Sequence, residues 1–304
     1  MYLKTHILLH FILICGIKTC LGENNELEDI CDCNCDLEID VVKHFSAQLE
    51  SLQQLVKQIP AQILKLQTEQ KSPSRPTNCM EAAAGTRKSG IYTIKSQLFG
   101  DEQFKVWCDE DTDFGGWIVI QRRLSAEVDF YRNWEQYKNG FGELSRNYWI
   151  GLNKLHALTA SCEQELYIKM ETSNGTKYYA KYDLFVIGSE EEDYVLRTLG
   201  NYTGNAGYGL RYHEGSKFTT FDRDNDANPG INCAERWRGA WWYKQCYHSN
   251  LNGDYSQKHN GQSVTWIGIK RNESLKFAQM MIRPTEKCIK RLAMKNFSPL
   301  EEKA

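Results

Sequence analysis

The sequence predicts a mixed α+β domain of short strands, few short helices and a long loop-rich region, carried behind a short coiled coil. Three observations predict it. A heptad stripe of apolar residues runs between 42 and 66, short alternating apolar runs appear beyond residue 79, and residues 200–261 are rich in Gly, Asn and Asp with little periodicity. A chain of 304 residues holds one large domain or two ordinary ones, and 41% hydrophobic content supports a sizeable core. The net charge of −2 gives no global field for nucleic acid or an anionic membrane. Eight Trp and 16 Tyr suit a domain packed around large flat side chains and also suit sugar-binding surfaces, with core packing accounting for most of them.

The N-terminus reads as an address label. Lys4 precedes an apolar stretch over 7–17, which has the length of a signal-peptide core and is too short to span a bilayer. Cys20-Leu21-Gly22 offers small residues where a signal peptidase reads, so residues 1–22 are expected to be removed. The acidic, polar run over 23–29 argues against an uncleaved anchor, and no later apolar stretch has the length of a transmembrane helix. Eleven cysteines agree with export, because disulfides persist only in an oxidising compartment. Four N-x-S/T sequons agree as well, at Asn174, Asn201, Asn272 and Asn296, the last weakened by Pro299. The expectation is a secreted glycoprotein with no membrane span, modified at Asn174, Asn201 and Asn272.

Residues 23–40 form a cysteine-rich segment containing Cys31, Cys33 and Cys35. Alternating cysteines this close do not readily pair with one another, since a bridge needs Cα atoms about 4.4–6.8 Å apart with suitable Cβ directions. Their expected partners are other chains; zinc is the weaker reading, because no second pair or histidine lies at finger spacing. A coiled coil over 41–70 explains why other chains would be near. Val42, Leu49, Val56 and Ile63 occupy a positions and Phe45, Leu52, Ile59 and Leu66 occupy d, with Gln, Lys, Glu and Ser mostly between. Pro60 lacks an N–H and clashes with the carbonyl of Val56, so the seam is expected to kink or split there. A coiled coil this short is marginal alone, and the adjacent cysteines would hold its strands together. The mixture of Ile and Val at a and d does not set the number of strands.

Residues 71–78 carry two prolines among small polar residues and read as a linker. The main domain is expected over 79–288, followed by a C-terminal tail over 289–304. Apolar runs at 90–94, 104–108, 117–121, 166–170, 178–187 and 275–282 read as strands, and 134–139 and 153–158 as helices. The loop-rich stretch is too long to be structureless inside a compact domain unless it is functional or tied by ligands and bridges. Within it, Asp222, Asp224 and Asp226 place three carboxylates within five residues. Calcium takes six to eight hard oxygens, which such a loop can help supply. An EF-hand is excluded, because Ala227 replaces its required Gly and Cys233 its bidentate Glu. The alternative is a turn whose aspartates bond backbone N–H groups; mutual repulsion of three carboxylates favours a cation.

A family is visible in four blocks. Residues 114–123 (Phe-Gly-Gly-Trp-Ile-Val-Ile-Gln-Arg-Arg) resemble the opening of fibrinogen-like domains, and Tyr148-Trp149-Ile150-Gly151-Leu152 the next block. Asn232-Cys233-Ala234-Glu235, Gly239-Ala240-Trp241-Trp242-Tyr243 with Cys246, and Ser249-Asn250-Leu251-Asn252-Gly253 resemble the third, and Phe277 with Met281-Ile282-Arg283-Pro284 the terminal strand. The arrangement looks most like fibrinogen-related lectins of invertebrates, ficolins and tachylectins. The resemblance implies an α+β fibrinogen C-terminal-like domain with a mixed antiparallel sheet, few short helices and a loop-rich calcium and ligand subdomain. It implies calcium held by the side chains of Asp224 and Asp226 and the carbonyls of Asn228 and Gly230, although Ile231 looks like an extra residue before Asn232. It implies a ligand wall of Trp237 with the backbone at Cys246 and Tyr247, where Tyr247 replaces a common His and much of the acetyl-pocket lining differs. It implies bridges Cys79–Cys108 and Cys233–Cys246; Cys162 and Cys288 are left over within the domain and are paired with each other. It also favours a trimer among homo-oligomers.

Enzymatic motifs are missing: the sequence has no G-x-S-x-G elbow, H-E-x-x-H or P-loop, and His213, His248 and His259 read as surface or packing residues. The expected function is calcium-dependent, lectin-like recognition of glycans or microbial surfaces in innate defence. The alternative is a signalling or adhesion ligand for a cell-surface receptor, since such domains also resemble those of angiopoietins.

Overall fold

The structure, a computed structural model, describes residues 35–69, 75–96, 102–256, 261–269 and 273–296. The leader over 1–22, Cys31, Cys33 and Asn272 lie outside the described residues. The protein divides into two compact units, Met1–Pro73 and Ser74–Ala304.

The first unit contains one described helix, α1 (Cys35–Glu69). It begins inside the segment read as cysteine-rich and runs through Pro60 without ending, so of the kink or split expected at Pro60 the split does not occur. Continuing the helix through Pro60 forgoes one N–H bond and crowds the Val56 carbonyl, and the apolar repeat continues on both sides. Along the expected seam, Phe45, Leu52 and Val56 are exposed, with Phe45 at 65%. Among the described residues no helix is long and apolar enough to cross a membrane.

The second unit is built on a ten-stranded sheet. A short helix α2 (Cys79–Ala82) opens it, capped by the Asn78 side chain, which accepts from the amide of Glu81 at 3.0 Å. Strands β1 (Gly90–Lys95), β2 (Gln103–Asp109) and β3 (Trp117–Arg123) follow. Helix α3 (Trp134–Asn139), capped reciprocally by Asn133 and Gln136, leads to the short strands β4 (Phe141–Gly142) and β5 (Tyr148–Trp149). Then come helix α4 (Leu152–Ser161) and strands β6 (Gln164–Thr172), β7 (Lys177–Ile187), β8 (Leu196–Leu199) and β9 (Tyr202–Gly204). The loop-rich stretch contains helix α5 (Cys233–Trp237) and the small hairpin of β10 (Ser249–Asn250) and β11 (Thr265–Trp266). Strand β12 (Leu275–Pro284) and helix α6 (Glu286–Asn296) complete the unit, so the residues read as a tail continue as a helix to 296.

The main strand order is β1-β2-β3-β12-β6-β7-β8, with antiparallel neighbours throughout. The last strand is therefore inserted at the sheet centre, where it pairs Gln279 with Arg122 on one side and Lys169 on the other. Alternation sets the two faces. Along β6 the even positions Leu166, Ile168 and Met170 are buried, while Tyr167, Lys169 and Glu171 are half-buried on the other face. Three bridges tie the unit: Cys79–Cys108, Cys162–Cys288 and Cys233–Cys246, with Cα separations of 5.5, 5.8 and 5.4 Å.

An aromatic core links the sheet to the loops. The Trp149 ring stacks on Phe218 at 5.9 Å, and Phe218 meets Trp242 edge-on at 5.3 Å. Two of the buried indoles donate to backbone carbonyls, Trp149 to Tyr137 O and Trp242 to Tyr194 O, at 2.9 and 2.8 Å. From β3, Gln121 donates to Leu251 O at 2.9 Å, and Arg123 to Leu251 O and Gly253 O at 3.0 and 2.7 Å. Arg123 is buried, and its guanidinium lies 3.8 Å from the Phe130 ring centre. These two side chains fasten the loop region to the sheet.

Candidate functional site

The aspartate loop is organised by its own backbone. Asp226 accepts from the amide of Asn228 at 2.7 Å through one oxygen and from the amide of Cys233 at 2.8 Å through the other. Asp224 accepts from the amide of Asp226 at 3.3 Å, and the Asn228 side chain from the amide of Gly230 at 3.1 Å. Asp222 serves a different purpose. Its carboxylate accepts from the amide of Trp134 at 2.9 Å and from the Thr220 hydroxyl at 2.7 Å, which pins the loop to the start of α3. All three carboxylates of the motif thus accept hydrogen bonds from the protein itself, and Asp224 and Asp226 are the pair that lies within the loop.

The two carboxylates interact electrostatically. Burial raises the Asp226 carboxyl, and the neighbouring charge of Asp224 adds to the effect, against the lowering by the two amide donors. Two carboxylates held this close gain from a proton or cation between them. Among the described residues no three acidic, histidine or cysteine side chains converge on one point. The remaining oxygens of a calcium shell would therefore have to come from carbonyls, those of Asn228 and Gly230 included, or from water.

The expected ligand wall lies on the same loop system. Cys233, whose amide binds Asp226, opens α5 and is bridged to Cys246; Ala227 donates its amide to Lys244 O at 3.0 Å. Helix α5 is capped by Asn232, whose side chain accepts from the amides of Ala234 and Glu235 at 2.8 and 3.2 Å, and it ends at Trp237. The Trp237 ring meets Tyr247 edge-on at 5.2 Å. The Tyr247 hydroxyl donates to Gly261 O. A Cβ on Gly261 would lie 2.9 Å from the Trp237 ring and 2.9 Å from the Tyr247 hydroxyl, so the backbone at 261 closes over both residues. The indole N–H of Trp237 is buried and has no acceptor among the described residues.

His213, read from the sequence as a surface or packing residue, is a buried one that holds the backbone behind this wall. It is fully buried; Nδ1 lies 2.6 Å from Trp242 O, and Nε2 accepts from the amides of His248 and Ser249 at 3.1 Å each. Those contacts set the tautomer, with the proton on Nδ1. Burial pushes the imidazole down to about 3, against a smaller opposing effect of the Trp242 carbonyl. Outside this region, the sequon residues Asn174 and Asn201 are exposed. Asn174 turns the β6–β7 hairpin, accepting from the Thr172 hydroxyl at 2.6 Å, and Asn201 donates its side-chain amide to Asp183 at 2.9 Å.

Comparison with known proteins agrees with this construction. Residues 75–285 match the family model for the C-terminal globular domain of fibrinogen beta and gamma chains. The protein is 41% identical over 220 residues to fibrinogen-like protein A of Apostichopus parvimensis, covering 70% of this chain and 77% of that protein. It is also 41% identical over 213 residues to tenascin-R of Gallus gallus, covering 69% of this chain but 16% of that protein. Among solved structures, the fibrinogen-like globe domain of human ANGPTL2 superposes with a TM-score of 0.66 at 43% identity, covering 69% of this chain and 99% of that domain. Lamprey fibrin D-dimer complexed with the peptide Gly-His-Arg-Pro-amide matches with a TM-score of 0.64 at 25% identity, covering 92% of this chain and 94% of the other. The family model spans more than half of the chain and the solved globe domains share its fold, so the chain belongs to the fibrinogen C-terminal domain family.

Proposed function

We propose that this chain is a secreted, oligomeric recognition protein of innate defence, which binds glycans or microbial surfaces in a calcium-dependent manner. The observation that carries the reading is the linkage from Asp226 through the Cys233 amide and the Cys233–Cys246 bridge to the Trp237–Tyr247 wall. A calcium ion held by Asp224, Asp226 and the carbonyls of Asn228 and Gly230 would stiffen this linkage and hold the wall in place. The exposed seam of α1 supports association of identical chains, a trimer by family likeness, with Cys31, Cys33 and Cys35 linking them covalently. Several weak sites on one oligomer then act together on a repetitive surface.

One observation favours a second reading, a signalling or adhesion ligand for a cell-surface receptor. The Tyr247 hydroxyl holds Gly261 against the Trp237 and Tyr247 rings, and aromatic residues on a held loop suit a protein partner. A glycan array with the full-length protein, run with calcium and with chelator, separates them. Calcium-dependent binding to defined glycans supports the lectin reading. Silence on the array with saturable, calcium-sensitive binding to cells supports the receptor reading, and binding indifferent to chelator in both assays refutes the calcium linkage.

A further inference from the structure

Phe114 stands wholly in solvent, at 101% of its reference exposure, and its backbone is left-handed with φ of +69°. Asp113, Gly115 and Gly116 on either side also have positive φ. A left-handed conformation is unfavourable for a bulky side chain and free for glycine. Neither packing nor backbone geometry thus accounts for a phenylalanine here. The loop that carries it is clamped. Arg283 Nη1 donates to the carbonyls of Asp113 and Gly115, on both sides of Phe114, at 2.7 Å each. The Arg283 guanidinium also pairs with Glu165 at 2.6 Å and lies 4.2 Å from the Trp117 ring centre, and Asp113 pairs with Lys181 at 2.7 Å. An aromatic side chain displayed without cover on a clamped loop is a preorganised interface anchor.

The same face of the sheet carries a receptacle. A groove of about 400 Å³ lies on β6, β7 and β12, lined by Tyr167, Lys169, Glu171, Lys177, Tyr179 and Phe277 among others. Tyr167 stacks on Tyr179 at 5.5 Å. The loop and the groove are neighbours, since Lys169 of the groove donates to Thr112 of the loop at 2.9 Å. Their chemistry is complementary. The loop offers Phe114 with exposed Asp111 three residues before it, and the groove offers aromatic walls with the exposed cation of Lys177.

We propose that this face pairs with the same face of a second copy of the chain, each Phe114 entering the other's tyrosine-lined groove with Asp111 facing Lys177 across the contact. Anchor and receptacle on one surface are what a two-fold, self-complementary interface requires. The contact uses no residue of the α1 seam and would join whole oligomers to one another, raising their valency on a repetitive target.

The test is sedimentation of the intact, disulfide-linked protein over a wide concentration range, with and without chelator. The expected result is a mass that rises with concentration above the covalent oligomer, equally in both buffers. Phe114→Gly relieves the left-handed strain, so it should keep or raise Tm while weakening this association by roughly 30-fold or more. Lys177→Glu should weaken it as well, and Lys177→Glu combined with Asp111→Lys should restore it, which only a contact between copies can do. A mass independent of concentration overturns the proposal. Association left intact by Phe114→Gly, or loss in Lys177→Glu that Asp111→Lys fails to recover, overturns it too.

Discussion

The carboxylate of Asp226 holds the amide of Cys233 at 2.8 Å, so the aspartate loop and the Cys233–Cys246 bridge are one connected unit. Asp226 takes a second amide, from Asn228, at 2.7 Å, and is half-buried. Removing it leaves two backbone donors without their charged partner. Asp226→Ala should therefore cost about 2–3 kcal/mol of stability even in chelator. Asp224 is exposed and accepts a single amide, so Asp224→Ala should cost less than about 1 kcal/mol in chelator and lose only the stabilisation that calcium adds. Urea unfolding of both variants with calcium and with chelator measures the four values. An Asp224→Ala protein with full calcium affinity would return the loop to an ordinary hydrogen-bonded turn.

His213 makes the fold acid-sensitive. Its Nε2 accepts two backbone amides, so a proton on that atom would face two N–H donors in a buried site. Burial lowers the folded imidazole to about 3 from an ordinary 6.5, so the folded chain binds fewer protons than the unfolded one below pH 6.5. Its contribution to stability is thus complete above about pH 6.5 and is lost as pH falls toward 3, at up to about 1.4 kcal/mol per pH unit. His213→Gln keeps one donor and one acceptor and cannot titrate. It should flatten the slope of unfolding free energy between about pH 6 and 4, a difference that denaturation curves at stepped pH would measure. An unchanged slope would assign the acid sensitivity to other groups.

Local pattern and long-range pairing were not equally legible. The period of apolar residues predicts a helix over 134–139, and α3 spans Trp134–Asn139, because its cap and its buried Trp134 and Tyr137 lie in one short segment. Strand β7 extends only one residue beyond the alternating run that predicts it. The position of β12 between β3 and β6 is invisible to periodicity, since Gln279 meets Arg122 from 157 residues away. For the site, a cluster of aspartates is visible as composition, but the division of labour within it is not. Asp222 serves Trp134, 88 residues distant, and only the folded chain separates it from Asp224 and Asp226. Motif likeness carried the bridges Cys79–Cys108 and Cys233–Cys246, where spacing alone allows many pairings. His213 had no signal at all: its partners are backbone amides, which nearly every residue offers.

The bridges should differ in what their loss does. Cys233–Cys246 closes a separation of 13 residues, worth about 3 kcal/mol on the chain-entropy model. Cys162–Cys288 closes 126 residues and joins α6 to the end of α4, worth about 4–5 kcal/mol on the same model. The double variant Cys162→Ala, Cys288→Ala should be the less stable of the two yet retain ligand binding. Cys233→Ala, Cys246→Ala should lose ligand and calcium binding together. Thermal unfolding and titration on each pair give the comparison, and an intact recognition site without Cys233–Cys246 would remove the bridge from the proposed linkage.

The wall itself separates the two functional readings. Trp237 and Tyr247 meet edge-on at 5.2 Å, and the Tyr247 hydroxyl holds Gly261 O. Trp237→Ala removes the aromatic face and its N–H donor but touches none of the hydrogen bonds made by Asp224 or Asp226, so calcium affinity should change by less than about threefold while ligand binding falls at least roughly tenfold. Tyr247→Phe keeps the ring and removes the hydroxyl that tethers Gly261, at a cost of about 1 kcal/mol in stability. If the tether closes the entrance to a sugar site, this variant should bind acetylated sugars more tightly than the parent. If the closed wall is itself the surface that a protein receptor recognises, freeing residue 261 should weaken cell binding and leave sugars unbound. Isothermal titration with calcium and with an acetylated sugar, beside cell binding of the same three proteins, distinguishes the outcomes. Trp237→Ala protein that binds both sugar and cells as the parent does would move the recognition surface away from this wall.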